Sequence, residues 1–164
     1  MTDIVPQHVR SRMMSRIRSS DTRPERAVRK FIHAAGLRYR LHHGTLPGRP
    51  DLVLPKYKSV VFVHGCFWHR HEGCPYAYCP KSNDAFWSTK FENNVRRDAR
   101  QVELLRGLGW NVFVIWECTA ETPGVLQRVV EEIRALAPSP AATQIPPLVA
   151  TAKSSTEVLR VAIG

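Results

Sequence analysis

Residues 62–74, FVHGCFWHRHEGC, hold three imidazoles (His64, His69, His71) and two thiols (Cys66, Cys74) around the ring pair Phe67 and Trp68. Zinc takes four soft or borderline donors in a tetrahedron. Cys66, His71 and Cys74 are close enough in sequence for one loop to supply three of them, and Cys118, just past an apolar strand, can supply the fourth. A structural ion would also explain how a segment with so little apolar content keeps a shape. Cys79 is a rival for the place of Cys74, and His69 could compete as well. The competing reading is free thiols and surface histidines, because structural disulfides are rare in the cytosol.

Hard oxygen donors offer a second chemistry. Nucleases that use magnesium set such donors in a cleft lined with positive charge. Asp51 opens a short strand after a Pro/Gly loop, beside the strand that ends in His64, so a carboxylate is expected at a sheet edge near imidazoles. Glu25, in the first turn of a helix, is a further candidate, although attraction to the helix N-terminus explains an acid there equally well. A general base for water should titrate near neutrality, and both His64 and His69 have the right chemistry. Glu117 adjoins Cys118 and is a charge partner or a support for a metal ligand.

The rings and the charge point to nucleic acid. Phe67 and Trp68 lie outside any periodic apolar segment, and such a pair can wedge into a base stack or stack on a displaced base. Phe86 and Trp87 open the next helix and could do the same, or could form a small core with the first pair. Met14 and Ile17 sit among arginines and could act as minor-groove wedges or pack as ordinary helix residues. Lys plus Arg number 24 against 14 Asp plus Glu, a net charge of +10 carried mostly by Arg, the side chain that grips phosphate in a bidentate fork. No apolar run approaches the ~20 residues of a membrane-spanning helix. The N-terminus lacks the apolar centre of a secretory signal, so the expected location is the cytoplasm, at the nucleoid.

These groups need a scaffold. Residues 1–20 read as a basic arm, 21–137 as the folded domain and 138–164, rich in Pro and Ala, as a tail. DTRPERAVRKFIHAAG predicts a helix capped by Asp21 or Thr22, with Ala27, Val28, Phe31, Ile32 and Ala35 turned inward. RYRLH (38–42), DLVL (51–54) and SVVFVHG (59–65) predict strands, the last two joined as a hairpin. Residues 66–82 read as a loop, 83–107 as a helix, 110–118 as a buried strand and 122–137 as an amphipathic helix. The fold class expected is α/β: a small mixed sheet flanked by helices, with a zinc-held loop.

LPGRPDLVL, VFVHGCFWHRHEGC, FWSTKFENNVRRD and LGWNVFVIWEC, in that order, resemble the very-short-patch (Vsr) DNA mismatch repair endonucleases over residues 8–135. The resemblance implies a restriction-endonuclease-like core. It implies a Mg2+-dependent enzyme that nicks one strand of duplex DNA beside a T:G mismatch, the lesion left when 5-methylcytosine is deaminated. It implies that Asp51 and the main-chain carbonyl of Val63 hold the Mg2+, that Glu25 assists through water at the ion, and that His69 is the general base with His64 beside it. A well-known member has Thr at position 63, and because only its main chain is used, Val63 should serve. The family's Zn2+ ligands match Cys66, His71, Cys74 and Cys118, its intercalating rings Phe67, Trp68 and Trp87, and its DNA-gripping arm the segment with Met14. HEGC is one residue longer than in that member, which keeps Cys79 open against Cys74. The implied form is a monomer on double-stranded DNA, linked in function to cytosine methyltransferases and mismatch repair proteins. Two other functions fit the residues: a noncatalytic zinc-stabilised nucleic-acid-binding module, and a restriction-type enzyme that makes double-strand breaks.

Overall fold

The structure is a computed structural model and describes residues 8, 9, 12, 20–41, 43–80 and 83–138. Met14 and Ile17, most of the arm and the tail beyond Pro138 lie outside the described residues. Helix α1 (Arg23–Ala34) starts as its sequence requires. Thr22 caps it by accepting the Glu25 N–H, Pro24 sits in the first turn, and Gly36 leaves the helix at φ +78. Its inward stripe buries Val28 and Ile32 completely, with Phe31 and Ala35 packed alongside. Burying each such branched side chain is worth about 1.5–3 kcal/mol.

Strand β1 (Arg40–Leu41) is shorter than the 38–42 expected, because both residues are exposed and pairing there buries little. Strand β2 (Leu52–Leu54), a 3-10 turn at Pro55–Tyr57 and strand β3 (Ser59–His64) form the expected hairpin. A one-turn helix α2 (Cys66–His69), the long helix α3 (Asp84–Gly107), strand β4 (Asn111–Trp116), a 3-10 turn at Glu117–Thr119 and helix α4 (Pro123–Ala135) complete the order.

The sheet order is β1-β2-β3-β4, antiparallel through β3 and parallel between β3 and β4. A parallel neighbour cannot be reached by a tight turn and needs a crossover, which α2 and α3 provide. The period-2 pleat sorts the core into two layers. Leu52, Leu54, Val61 and Ile115 meet α1 and α4 through Val28, Ile32, Leu126, Val130 and Ile133. Val53, Val60 and Phe62 face the other way, toward Leu105 of α3 and Trp110. Strand β4 corrects one expectation. It was read as buried, but only Ile115 of its six residues is, because it stands at the edge of the sheet with a neighbour on one side.

Candidate active site and metal cluster

The loop before β2 is built around two left-handed residues, Gly48 (φ +73) and Arg49 (φ +50). A Cβ on Gly48 would lie 2.8 Å from Gln101 Oε1 and 3.1 Å from the Phe62 ring, so only glycine lets the loop press against α3 and β3. Pro50 is fully buried behind it. The loop delivers Asp51, whose Oδ2 accepts the Val63 N–H at 2.7 Å. The pairing of Leu52 with Val61 and Val53 with Val60 puts Asp51, by alternation, on the face that carries Phe62 and His64. That is the α3 side of the sheet, at the carboxyl ends of the parallel pair β3 and β4.

His64 is the last residue of β3, and α2 begins two residues later. Residues 66–69 were expected as loop; instead Gly65 O accepts the His69 N–H and Cys66 O the His71 N–H, closing one helical turn. That turn swings His69 back over β3, where its ring stacks on His64 with centroids 3.9 Å apart and 11° between planes. His69 Nδ1 lies 2.5 Å from Asp98 Oδ2 on α3. Arg97 approaches the other oxygen, Oδ1, with Nη2 at 3.2 Å and Nε at 3.4 Å. Asn94, one turn earlier on α3, donates to the Trp68 carbonyl at 3.0 Å and ties the two helices together.

This environment separates the two imidazoles. Burial, reinforced by the nearby charge of His69, pushes His64 down to about 3. It is therefore neutral near pH 7 and too weak a base to accept a proton there, which removes it from the general-base role the sequence allowed. Burial raises the Asp98 carboxyl, but the hydrogen bond and charge of His69, aided by His64 and Arg97, outweigh it and hold the group below its ordinary value. An ionised Asp98 fixes the orientation of His69 through Nδ1 and leaves Nε2 as the nitrogen for proton transfer.

On the other side of α2, Cys66, His71, Cys74 and Cys118 converge, with one donor atom from each within 4.8 Å of the others. His71 Nδ1 lies 3.6 Å from Cys66 Sγ and 3.3 Å from Cys118 Sγ. The His71 ring stacks on Trp116 at 4.2 Å and 8°, and Glu117 accepts the Cys66 N–H at 3.3 Å. Cys79 lies apart, with its thiol 3.6 Å from Asp84 Oδ1, and takes no place in this group. Burial pushes the Cys66 thiol up to about 12, so it stays protonated unless a cation arrives. Three thiols and an imidazole form a donor set able to hold a metal ion.

The rings assemble around Phe67, which has Trp68, Tyr78, Phe91 and Trp87 between 4.9 and 5.5 Å away. Phe91 is buried at the base, whereas Phe86 and Tyr78 are more than half exposed at the rim. Glu25 is occupied elsewhere. It is 5% exposed; Thr22 Oγ1 and the Asp21 N–H donate to it at 2.9 Å, and Arg29 Nη2 at 2.8 Å. Its geometry is that of a capping box joined to a buried ion pair.

Comparison with known proteins reads this arrangement. Residues 2–74 match the profile of the family described as DNA mismatch endonuclease Vsr. The "Type II nicking enzyme V.XorIIP" of Xanthomonas oryzae is 45% identical over 133 residues, 81% of this chain and 97% of that protein. "Type II nicking enzyme V.NmeAIP" of Neisseria meningitidis is 44% identical, over 82% of this chain and 98% of its own. The "DNA mismatch endonuclease Vsr" of Escherichia coli is 40% identical, over 72% and 75%. The chain belongs to the Vsr family of DNA mismatch endonucleases.

A Vsr endonuclease is an enzyme that nicks DNA, which sets aside the noncatalytic binding module, and the mixed sheet between helices is the core its sequence led us to expect. Asp98 was missed. Its signal was an acid inside the run Arg96, Arg97, Asp98, Arg100, which reads as ordinary charge alternation on a solvated helix until the fold sets His69 against it. Among the described residues no helix is long and apolar enough to cross a membrane.

Proposed function

We propose that this Vsr endonuclease nicks one strand of duplex DNA beside a T:G mismatch, with His69 as general base, Asp98 as its orienting partner and Asp51 as the carboxylate of the catalytic metal site. The observation that carries the reading is the His69–Asp98 pair, mounted on the same face of the sheet as Asp51. The naming of the Escherichia coli relative as a mismatch endonuclease, and of two others as nicking enzymes, supports the reaction class.

Phosphodiester hydrolysis needs a proton taken from water as its oxygen bonds to phosphorus, while the bond from phosphorus to the leaving sugar oxygen breaks and that oxygen takes a proton from solvent. His69 Nε2 receives the water proton, and ionised Asp98 stabilises the imidazolium formed. Buried His64 remains neutral and backs the His69 ring in place. Asp51 and the Val63 carbonyl are both hard oxygen donors, the type Mg2+ takes. When bound there, Mg2+ supplies polarisation of the scissile phosphate.

The cysteine cluster fits zinc. An imidazole nitrogen and a thiolate on one tetrahedral zinc stand about 3.6 Å apart, from bonds of about 2.1 and 2.3 Å; His71 Nδ1 has Cys66 Sγ at 3.6 Å and Cys118 Sγ at 3.3 Å. Cys66, His71, Cys74 and Cys118 would hold Zn2+, which supplies a cross-link between α2 and the end of β4 and so fixes the ring platform beside the cleft. Phe67, Trp68 and Trp87 then meet the bases, where a mismatch has already lowered the cost of unstacking. Cleavage of end-labelled duplexes carrying T:G, other mismatches or only Watson–Crick pairs tests the reading. Nicking confined to one strand of the T:G duplex is expected, and double-strand breaks in fully paired DNA would replace it with the restriction-type reading.

A further inference from the structure

Asp98 is shared between two partners, and the second has no role in the reaction as derived so far. Its Oδ2 faces His69 while its Oδ1 faces the guanidinium of Arg97. One carboxylate therefore fixes a base and a cation side by side. The Arg97 side chain is 54% exposed against 14% for Asp98, so the guanidinium sits at the mouth of the cleft with donors left over for a ligand. Two contacts through Nε and Nη2 leave Nη1 and the second Nη2 hydrogen uncommitted to Asp98. The Arg97 charge also reaches inward, and it is among the groups that hold His64 low.

We propose that Arg97 is a catalytic residue of the nicking reaction: its guanidinium, held on Asp98 Oδ1, donates to a non-bridging oxygen of the scissile phosphate and stabilises the charge that builds there as His69 takes the proton from water. This rests on the nicking chemistry set out above. As the water oxygen bonds to phosphorus, negative charge grows on the non-bridging oxygens. A preorganised donor aimed at that charge acts more strongly in the transition state than in the bound substrate. A planar guanidinium suits this task because it can stay on the carboxylate with one edge and meet phosphate with another, which a lysine ammonium does less well. The same geometry explains why a cation is kept beside a general base at all: it draws the phosphate to within reach of His69 without titrating near neutrality.

The test compares wild type with Arg97→Ala, Arg97→Lys and Arg97→Gln in single-turnover nicking of a T:G duplex with Mg2+, with duplex affinity measured in Ca2+. The saturated rate of Arg97→Ala should fall by about 10²–10³-fold while affinity changes by less than about 5-fold. Arg97→Lys should recover only part of the rate, and free guanidinium ion should raise the rate of Arg97→Ala but not of wild type. An unchanged saturated rate, or a loss confined to affinity, would overturn the proposal and leave Arg97 an ordinary surface cation. Full recovery in Arg97→Lys without guanidinium rescue would also overturn it, in favour of a role in positioning Asp98. Should wild type itself fail to nick the T:G duplex, the functional reading falls and the proposal with it. Arg97→Ala failing while wild type nicks touches Arg97 alone.

Discussion

His69 and Asp98, 29 residues apart and on separate helices, meet at 2.5 Å between Nδ1 and Oδ2. Nothing in either helix alone predisposes them to do so. The contact exists because β3 ends at His64, Gly65 turns the chain and one helical turn brings His69 back over the sheet against α3. Asp98→Asn keeps the size of the side chain but removes the charge that fixes the imidazole and stabilises its protonated form. Single-turnover nicking should slow by about 10²–10⁴-fold, with duplex affinity nearly unchanged. Nicking at the wild-type rate would show that His69 acts without this partner.

The same carboxylate should leave a mark on stability. Because Asp98 is held below its ordinary value, its contribution is complete above the unfolded-state value of about 3.9 and fades as pH falls from there through the folded-state value. Melting temperatures of wild type and Asp98→Asn should differ by a constant amount at neutral pH and converge on acidification below about pH 4. A gap that stays constant down to strongly acidic pH would mean the His69 and Arg97 contacts add nothing to stability.

Metal content separates the four cysteines. Cys118→Ser should abolish stoichiometric zinc, measured by elemental analysis, and lower the melting temperature, because it removes a donor that lies 3.3 Å from His71 Nδ1. Cys79→Ser should leave both unchanged, since that thiol lies against Asp84 instead. Loss of zinc in Cys79→Ser with retention in Cys74→Ser would reverse the assignment.

Gly48 ties the backbone to the cleft. Gly48→Ala must place a Cβ 2.8 Å from Gln101 Oε1 at φ +73. A loss of about 1–3 kcal/mol in urea unfolding is expected, together with slower nicking, because the same loop sets Asp51. Wild-type stability would show that Gln101 and the loop yield freely.

Much of this was legible because the sequence follows local rules. Thr22, Pro24 and Gly36 punctuate α1, and the period-2 runs of β2 and β3 sort onto two core layers. The cysteine and histidine spacing likewise marked the four residues that converge, with Cys74 against Cys79 left to the coordinates. What stayed hidden depends on contacts between distant segments. Asp98 looks like one charge among arginines, and β4 looks buried until its place at the sheet edge is known. The turn at Cys66–His69 was hidden as well: its residues are weak helix formers, and the αL conformation of Arg70 and the packing on α3 hold it instead. Glu25 went the other way. Its helix-start position allowed two roles, and the described contacts fill its carboxylate with Thr22, Asp21 and Arg29.

The central claim is that Asp51 and His69 act on one phosphodiester of a mismatched duplex. It is tested most directly by single-turnover, strand-resolved cleavage of a T:G duplex in Mg2+ by wild type, Asp51→Ala and His69→Ala, with binding of the same duplex measured in parallel. The account predicts a single nick in one strand by wild type and a loss of at least about 10²-fold in rate for each variant, both still binding the mismatch. Full-rate nicking by either variant would contradict it.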